Sequence, residues 1–207
     1  MDILSAVLER RSINFFEQNA EIPDDKIKEI ISIANTAPSS FNMQPWEVIV
    51  VKGKEKKKIL RECAMNQSKV EDASCVLIII ADPLSLEKNM ELIFDKQIEY
   101  GYMKPEMKET YKKVALKLYG AKDSLDRVIF AVKNTALFAM NLMIVARGFG
   151  FETHPMDGFD SECIKDRFGI SNTKIIPMII ALGYKQKGAE LLKRPYRRPV
   201  DSFVTVI

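Results

Sequence analysis

Three cysteines, one histidine and one tryptophan among 207 residues leave little material for several kinds of chemistry. Cys63, Cys75 and Cys163 are odd in number and widely spaced, so neither a disulfide framework nor a zinc site is indicated, and reduced structural thiols are expected. His154 stands next to Pro155 with no cysteine or carboxylate at ligand spacing, which favours a structural histidine over a catalytic or metal-bound one. Glycine and proline are scarce at nine each, and 47% of residues are apolar, which excludes a disordered or low-complexity chain. Neither sign of charge dominates. Thirty-one basic against 28 acidic residues give +3, too weak a bias for nucleic acid. The N-terminus lacks a basic stretch followed by an apolar one, so no signal peptide is expected. The longest uncharged apolar-rich stretch, Asn134 to Ala146, falls short of the roughly 20 residues that cross a membrane, and Lys133 and Arg147 close it. A cytoplasmic protein bound to neither membrane nor nucleic acid is the expectation.

What is present is one domain over residues 1–207, long enough to bury roughly 70% of the surface its unfolded chain exposes. Asp2 to Arg10 reads as a short helix capped by Asp2, and Pro23-Asp24-Asp25 opens a second. In that second helix Ile27, Ile30, Ile31 and Ala34 follow one-sided helical spacing. Trp46 to Val51 reads as a strand rich in β-branched residues, and Lys54 to Cys63 as a charged surface helix. Cys75 to Ala81 and Ile175 to Leu182 are unbroken apolar runs of strand length, expected to be covered on both faces. Leu86 to Gln97, Glu106 to Leu118, Ser124 to Arg147 and Asp160 to Phe168 read as helices, the third being the buried central one. Helices separating a few strands argue for an α+β or α/β sandwich.

Five segments carry more fixed chemistry than connectors need. Ala37-Pro38-Ser39-Ser40-Phe41-Asn42-Met43-Gln44-Pro45-Trp46 joins a helix to a strand. Its prolines stiffen it, and its hydroxyls and amides either bind a heterocycle or satisfy their own turn. Arg10-Arg11-Ser12 offers two guanidinium forks and a hydroxyl suited to a phosphate ester, or else is an ordinary basic helix end. Asn66 and Lys69 lie three apart at the end of a helical segment and face the same way, as solvated pairs also do. In His154-Pro155-Met156-Asp157-Gly158-Phe159, Gly158 would let backbone approach a planar ligand. Arg194-Pro195-Tyr196-Arg197-Arg198-Pro199 is a basic tail, either solvated or closing a phosphate site.

In this order, over essentially the whole chain, these motifs resemble the nitroreductase family of FMN-dependent oxidoreductases. The resemblance rests on Arg-Arg-Ser, the Pro-Ser-Ser-x-Asn-x-Gln-Pro-Trp loop, the Asn-x-x-Lys pair, the Pro-x-acidic-Gly-Phe-Asp segment and the arginine-rich tail. It implies an α+β fold with a mixed sheet surrounded by helices. It also implies an interlocked homodimer in which each C-terminal segment packs on the other subunit, giving the apolar Phe203 to Ile207 a place. It further implies FMN at the interface. Arg10, Arg11 and Ser12 would hold the phosphate and nearby ribityl groups, with Arg197 and Arg198 on the far side, or Lys193 and Arg194 after a small shift. Pro38, Ser39, Ser40 and Asn42 would come from the partner. Asn66 and Lys69 would face the pyrimidine edge, and the backbone of Pro155, Asp157 and Gly158 would reach N5. Two positions depart from the family pattern. Asn14 stands where a basic residue is common near the flavin, and the aromatic Phe41 stands where a small polar residue is common, which makes it a candidate substrate contact.

The implied activity is hydride transfer from NADH or NADPH through FMN to a nitroaromatic, quinone or similar small acceptor, by a ping-pong route. No protein nucleophile is needed, since the cofactor carries the chemistry. Lys69 would act as an electrostatic stabiliser. No glycine-rich nucleotide motif is present to separate NADH from NADPH. The alternatives are a flavin-binding storage or sensor protein without turnover, and a family branch with other flavin chemistry such as dehalogenation or flavin breakdown.

Overall fold

A computed structural model describes residues 2–207. The first helix, α1 (Ile3–Glu9), starts where Asp2 accepts the amide of Ser5 at 3.0 Å. Helix α2 (Asp24–Ala34) begins after Pro23 with two acidic residues in its first turn, and buries Ile27, Ile30 and Ala34. Strand β1 (Trp46–Val51) leads to α3 (Lys54–Cys63), the short α4 (Lys69–Asp72) and β2 (Cys75–Ala81). Next come α5 (Ser85–Glu99), a 3-10 turn at Pro105–Met107, α6 (Lys108–Tyr119) and the 24-residue α7 (Leu125–Gly148). The chain continues through β3 (Glu152–Met156), α8 (Ser161–Phe168) and β4 (Ile175–Gly183). Helix α8 is capped by Asp160, which accepts the amide of Cys163 at 3.0 Å, and stopped by left-handed Gly169.

The four strands form one antiparallel sheet in the order β1-β2-β4-β3. The parallel element implied by a mixed sheet is here confined to an isolated bridge between Ser12 and Thr153. Strand β2 is central and buried along its whole length. Its alternate residues serve two cores. Val76, Ile78 and Ile80 pack with Leu60, Val70, Ile164 and Ile179 beneath α3, α4 and α8. Cys75, Leu77 and Ile79 pack with Ile30, Phe138, Leu142 and Ile180 beneath α2 and α7. Each such isoleucine contributes about 1.5–3 kcal/mol through burial alone. A third cluster, around Phe94, Met90, Tyr119 and Phe130, joins α5 and α6 to the first half of α7. Helix α7 is long and apolar enough to cross a membrane by composition, but here it lies on the sheet as the core helix.

Three features differ from the sequence reading. Strand β3 lies inside a segment whose Pro155 argues against a strand. It is tolerated because β3 is at an edge by sheet order. The expectation of free thiols is corrected by a Cys63–Cys163 disulfide with Cα atoms 5.6 Å apart, leaving Cys75 free and buried. The end of α3 and the first turn of α8 lie side by side over one sheet face, so two cysteines 100 residues apart in sequence meet. Third, Arg127 is buried in α7 at 1% exposure. It grips both carboxylate oxygens of Glu87 at 2.7 and 2.8 Å, and reaches the carbonyls of Pro83 and Gly120.

Candidate functional site

The segment after α1 runs along β3. Beyond the Ser12–Thr153 bridge, the Ile13 amide donates to the Thr153 carbonyl at 3.4 Å, and His154 Nδ1 meets the Ile13 carbonyl at 2.6 Å. This pairing holds Arg10, Arg11 and Ser12 at one end of the strand. Arg11 is partly buried, while Ser12 and Asn14 are exposed. Arg10 Nη1 is buried and has no hydrogen-bond partner, and the same is true of Thr153 Oγ1 and Glu152 Oε2. Burial lowers Arg10 below the usual guanidinium value; Arg194 and Arg197 push the same way, and Glu152 opposes them. Both tail arginines therefore lie within electrostatic reach of Arg10. Arg194 also donates to the Leu8 carbonyl, whereas Arg198 lies 5.3 Å over the Phe203 ring. Arg147 ties the region together, pairing with Glu9 at 2.7 Å and with Glu152.

The other end of β3 meets the turn between α3 and α4. Met65 and Asn66 both have φ of 53°, the left-handed region that non-glycine residues avoid. Arg61 splints this turn: its Nε donates to the Asn66 carbonyl at 3.1 Å, its own carbonyl accepts the Asn66 amide at 3.0 Å, and its Nη1 pairs with Glu71 at 2.8 Å. Gln67 Nε2 crosses to the Gly158 carbonyl at 2.9 Å. A Cβ at Gly158 would stand 3.4 Å from both Gln67 Nε2 and Met65 Sδ, so a side chain there meets this turn directly. Lys69 Nζ lies 3.4 Å from Gln67 Oε1, and burial lowers its pKa below the ordinary lysine value. His154 sits between the two ends. Burial lowers its pKa; the hydrogen bond to Ile13 opposes this, and Lys69 and Arg10 reinforce it. Pro155 and Gly158 are partly buried, and Asp157 is exposed.

The result is a strip with a cationic, partly desolvated phosphate-type end at Arg10 and an amide and ammonium end at Gln67 and Lys69. An elongated ligand with a phosphate at one end and a heterocycle at the other fits this donor set. The unpartnered Arg10 Nη1 supplies the specific test, since a buried guanidinium N–H facing no acceptor is costly unless a ligand takes it. Among the described residues, no cluster of histidine, cysteine and carboxylate side chains could hold a metal.

Pro38, Ser39, Ser40, Phe41 and Asn42 stand elsewhere. Ser40 N donates to Asn134 Oδ1 at 3.0 Å, and Ser40 Oγ bonds the Tyr119 hydroxyl. Asn134 and Arg147 lie thirteen residues apart on α7, which places the two regions about 20 Å apart along it. Ser39 Oγ accepts the Gln44 amide at 3.0 Å, and Phe41, Asn42 and Gln44 all have positive φ. Phe41 points into the helices rather than outward, with its ring 6.4 Å from Tyr111 and Tyr119 and 6.5 Å from Phe94. Pro38 and Asn42 are exposed. Beside the loop, Asn42, Gln44, Asn89, Lys96 and Tyr100 line a cavity of about 990 Å³. Sequence alone does not single out Gln67, Arg61 or Glu152. Gln67 stands within the Asn66–Lys69 motif, but nothing local to it points to Gly158.

Comparison with known proteins identifies the family. The profile described as "Nitroreductase family" covers residues 7–184. A Bacillus subtilis protein, named provisionally as the NAD(P)H nitroreductase YdgI, is 32% identical over 97% of this chain and 95% of its own length. The "NADH dehydrogenase" of Thermus thermophilus is 31% identical over 97% of this chain and 95% of its own. Among solved structures, an Exiguobacterium sibiricum protein in complex with FMN superposes with a TM-score of 0.87 at 27% identity, covering 99% of this chain and 97% of that one. With the family profile spanning most of the chain and these relatives matching it nearly end to end, the chain belongs to the nitroreductase family.

Proposed function

We propose that this protein is an FMN-dependent NAD(P)H oxidoreductase working as a homodimer. The observation that carries the reading is the buried, unpartnered Arg10 Nη1 at the head of a strip that ends at Lys69. When bound, FMN would supply two-electron chemistry between NADH or NADPH and a nitroaromatic, quinone or similar acceptor, in a ping-pong cycle. Arg10, Arg11 and Ser12, with Arg194 and Arg197 alongside, bind the phosphate end. Lys69, partly desolvated, stabilises negative charge at the pyrimidine edge more strongly than a solvated lysine does. Asn66, held left-handed by Arg61, presents its amide there, and the Asp157–Gly158 backbone approaches from the other side.

The loop from Pro38 to Asn42, anchored at Asn134 about 20 Å along α7 from Arg147, is remote from the Arg10 end of its own strip and available to a second subunit. Two features support a dimer. Helix α1 exposes Ile3, Leu4, Val7 and Leu8, α7 exposes Ile129, Leu137 and Met140, and the extended tail exposes Leu192 (87%) and Val206 (92%). Strand β1 is an open edge beside an apolar cavity of about 510 Å³ lined by Ile27, Ile31, Val51 and Phe168. A tail strand from a second copy laid parallel there would make the sheet mixed. A dependence on NAD(P)H fits a cytoplasmic setting.

The test is to load purified protein with FMN, weigh it by sedimentation equilibrium and add NADH or NADPH without oxygen. The expected result is a yellow dimer with two FMN that either donor bleaches. A colourless protein overturns the flavin reading. A yellow protein that neither donor bleaches favours a storage or sensing role instead.

A further inference from the structure

The Cys63–Cys163 bridge joins the two backbone segments that form the Lys69 end of the strip. Cys63 is the last residue of α3, two residues before Met65 in the left-handed turn Met65–Asn66. Cys163 lies in the first turn of α8, five residues after Gly158. Two non-covalent contacts run beside it: the Asp160 amide donates to the Cys63 carbonyl at 2.8 Å, and Gln67 Nε2 reaches the Gly158 carbonyl at 2.9 Å. The disulfide is therefore a covalent tie, beside these non-covalent ones, between the residues that flank the 64–69 turn and the 157–160 segment. Its sulfurs differ in access. Cys63 is 4% exposed, while Cys163 is only partly buried, so an external thiol reaches Cys163 first. The remaining thiol, Cys75, is buried and pushed up to about 12 by burial, which keeps it out of exchange.

We propose that Cys63 and Cys163 form a reversible thiol–disulfide exchange site that clamps the flavin-edge segments when oxidised and loosens them when reduced. In reduction, the thiolate of a small thiol attacks Cys163 Sγ and the Cys63 sulfur leaves as a thiolate, which takes up a proton. A second thiol then attacks the mixed disulfide. The protein ends with two thiols, and the two small thiols leave joined as their own disulfide. The reactant class is a small-molecule monothiol of the glutathione type, as found in compartments where stable disulfides are uncommon and those that form tend to be switching ones. Opening the clamp leaves the strained Met65–Asn66 turn held only by non-covalent contacts, those of Arg61 and Gln67 and the Asp160–Cys63 backbone hydrogen bond. The consequence for cofactor retention rests on the FMN reading; the exchange itself does not.

The experiment equilibrates the apoprotein in glutathione buffers from oxidising to reducing, traps thiols by alkylation and counts them by mass. Amide exchange is then measured on the two end states, and FMN is titrated into each. The expected result is loss of two alkylatable thiols on oxidation, about tenfold slower amide exchange over 64–69 and 157–160 in the oxidised form, and several-fold tighter FMN. Cys163→Ser should behave as the reduced protein in both buffers. Thiols that stay free in the oxidising buffer, or amide exchange identical in both states, overturn the proposal. Failure of FMN to bind either state, with the thiol and exchange results intact, counts against the flavin reading alone.

Discussion

Gln67 Nε2 donates to the carbonyl of Gly158 at 2.9 Å across 91 residues of sequence, joining the turn before α4 to the end of β3. The same nitrogen also reaches the Ala64 carbonyl at 3.2 Å, so one side chain sets both the shape of the turn and its distance from the strand. Replacing Gln67 with Ala removes a partly buried hydrogen bond worth about 1 kcal/mol. FMN should bind roughly fivefold more weakly while the melting temperature of the apoprotein moves little. Fluorescence quenching of FMN together with thermal denaturation checks this, and unchanged affinity would remove Gln67 from the site.

Arg10 presents the opposite balance. Its Nη1 has no acceptor in the apoprotein, so Arg10→Ala removes a desolvated charge without breaking a hydrogen bond at that atom. The apoprotein should be no less stable, and FMN affinity should fall by about 1.5–3 kcal/mol, the worth of a hydrogen bond to a charged group. Riboflavin, which lacks the phosphate, should bind wild type and variant alike. A comparable loss for riboflavin would show that Arg10 acts on the fold and not on the phosphate.

Arg127 and Glu87 hold α5 to α7. Losing either partner leaves the other charge buried or half-buried, so Arg127→Ala should cost about 3–5 kcal/mol in urea denaturation. The hydrogen bond from Arg127 holds Glu87 below the usual carboxylate value. The sign follows: this contribution is present above the ordinary glutamate value of 4.5 and is lost as pH falls through the lower folded value. Glu87→Gln should therefore flatten the acid limb of the stability curve.

His154 is kept neutral by burial, its pKa lowered. Its contribution is complete above the unfolded value of about 6.5 and is lost as pH falls toward the folded one. Glu152 runs the other way, because burial raises its pKa and protonation relieves it. Subtracting the His154→Gln curve from the wild-type curve isolates the histidine. The difference should shrink steadily below about pH 6.5, followed by chemical denaturation of the apoprotein. A flat difference would mean that the imidazole is already free to charge in the fold.

The parts of the fold that were legible in the sequence are those with a single physical cause. Cys75 to Ala81 reads as a covered strand because helices lie on both faces, so no polar alternation interrupts it. Helix α2 reads from its spacing because one face packs and the other is wet. The β3 segment was not legible. Glu-Thr-His-Pro-Met has neither alternation nor strand composition, and it is extended because β4 lies on one side and Ile13 on the other. At the site, Arg10, Ser12, Asn66 and Lys69 carry recognisable chemistry in sequence. Gln67 and the cysteine pair acquire theirs only from residues about a hundred positions away. The inward packing of Phe41 was likewise hidden, since its partners Phe94, Tyr111 and Tyr119 belong to helices whose placement no local pattern encodes.

That packing decides which pieces of this protein can be exchanged between relatives. The loop from Ser39 to Gln44 is fastened to α5, α6 and the first half of α7 through Ser40, Phe41 and Asn89, within a cluster separate from the one beneath α3, α4 and α8. A graft of α5 and α6 from another family member would strand Phe41 without its aromatic neighbours unless the loop travels with them. The unit that can be exchanged without loss of packing is therefore loop plus helices. The Arg10 to Lys69 strip, resting on a different core, can stay fixed while that block is shuffled.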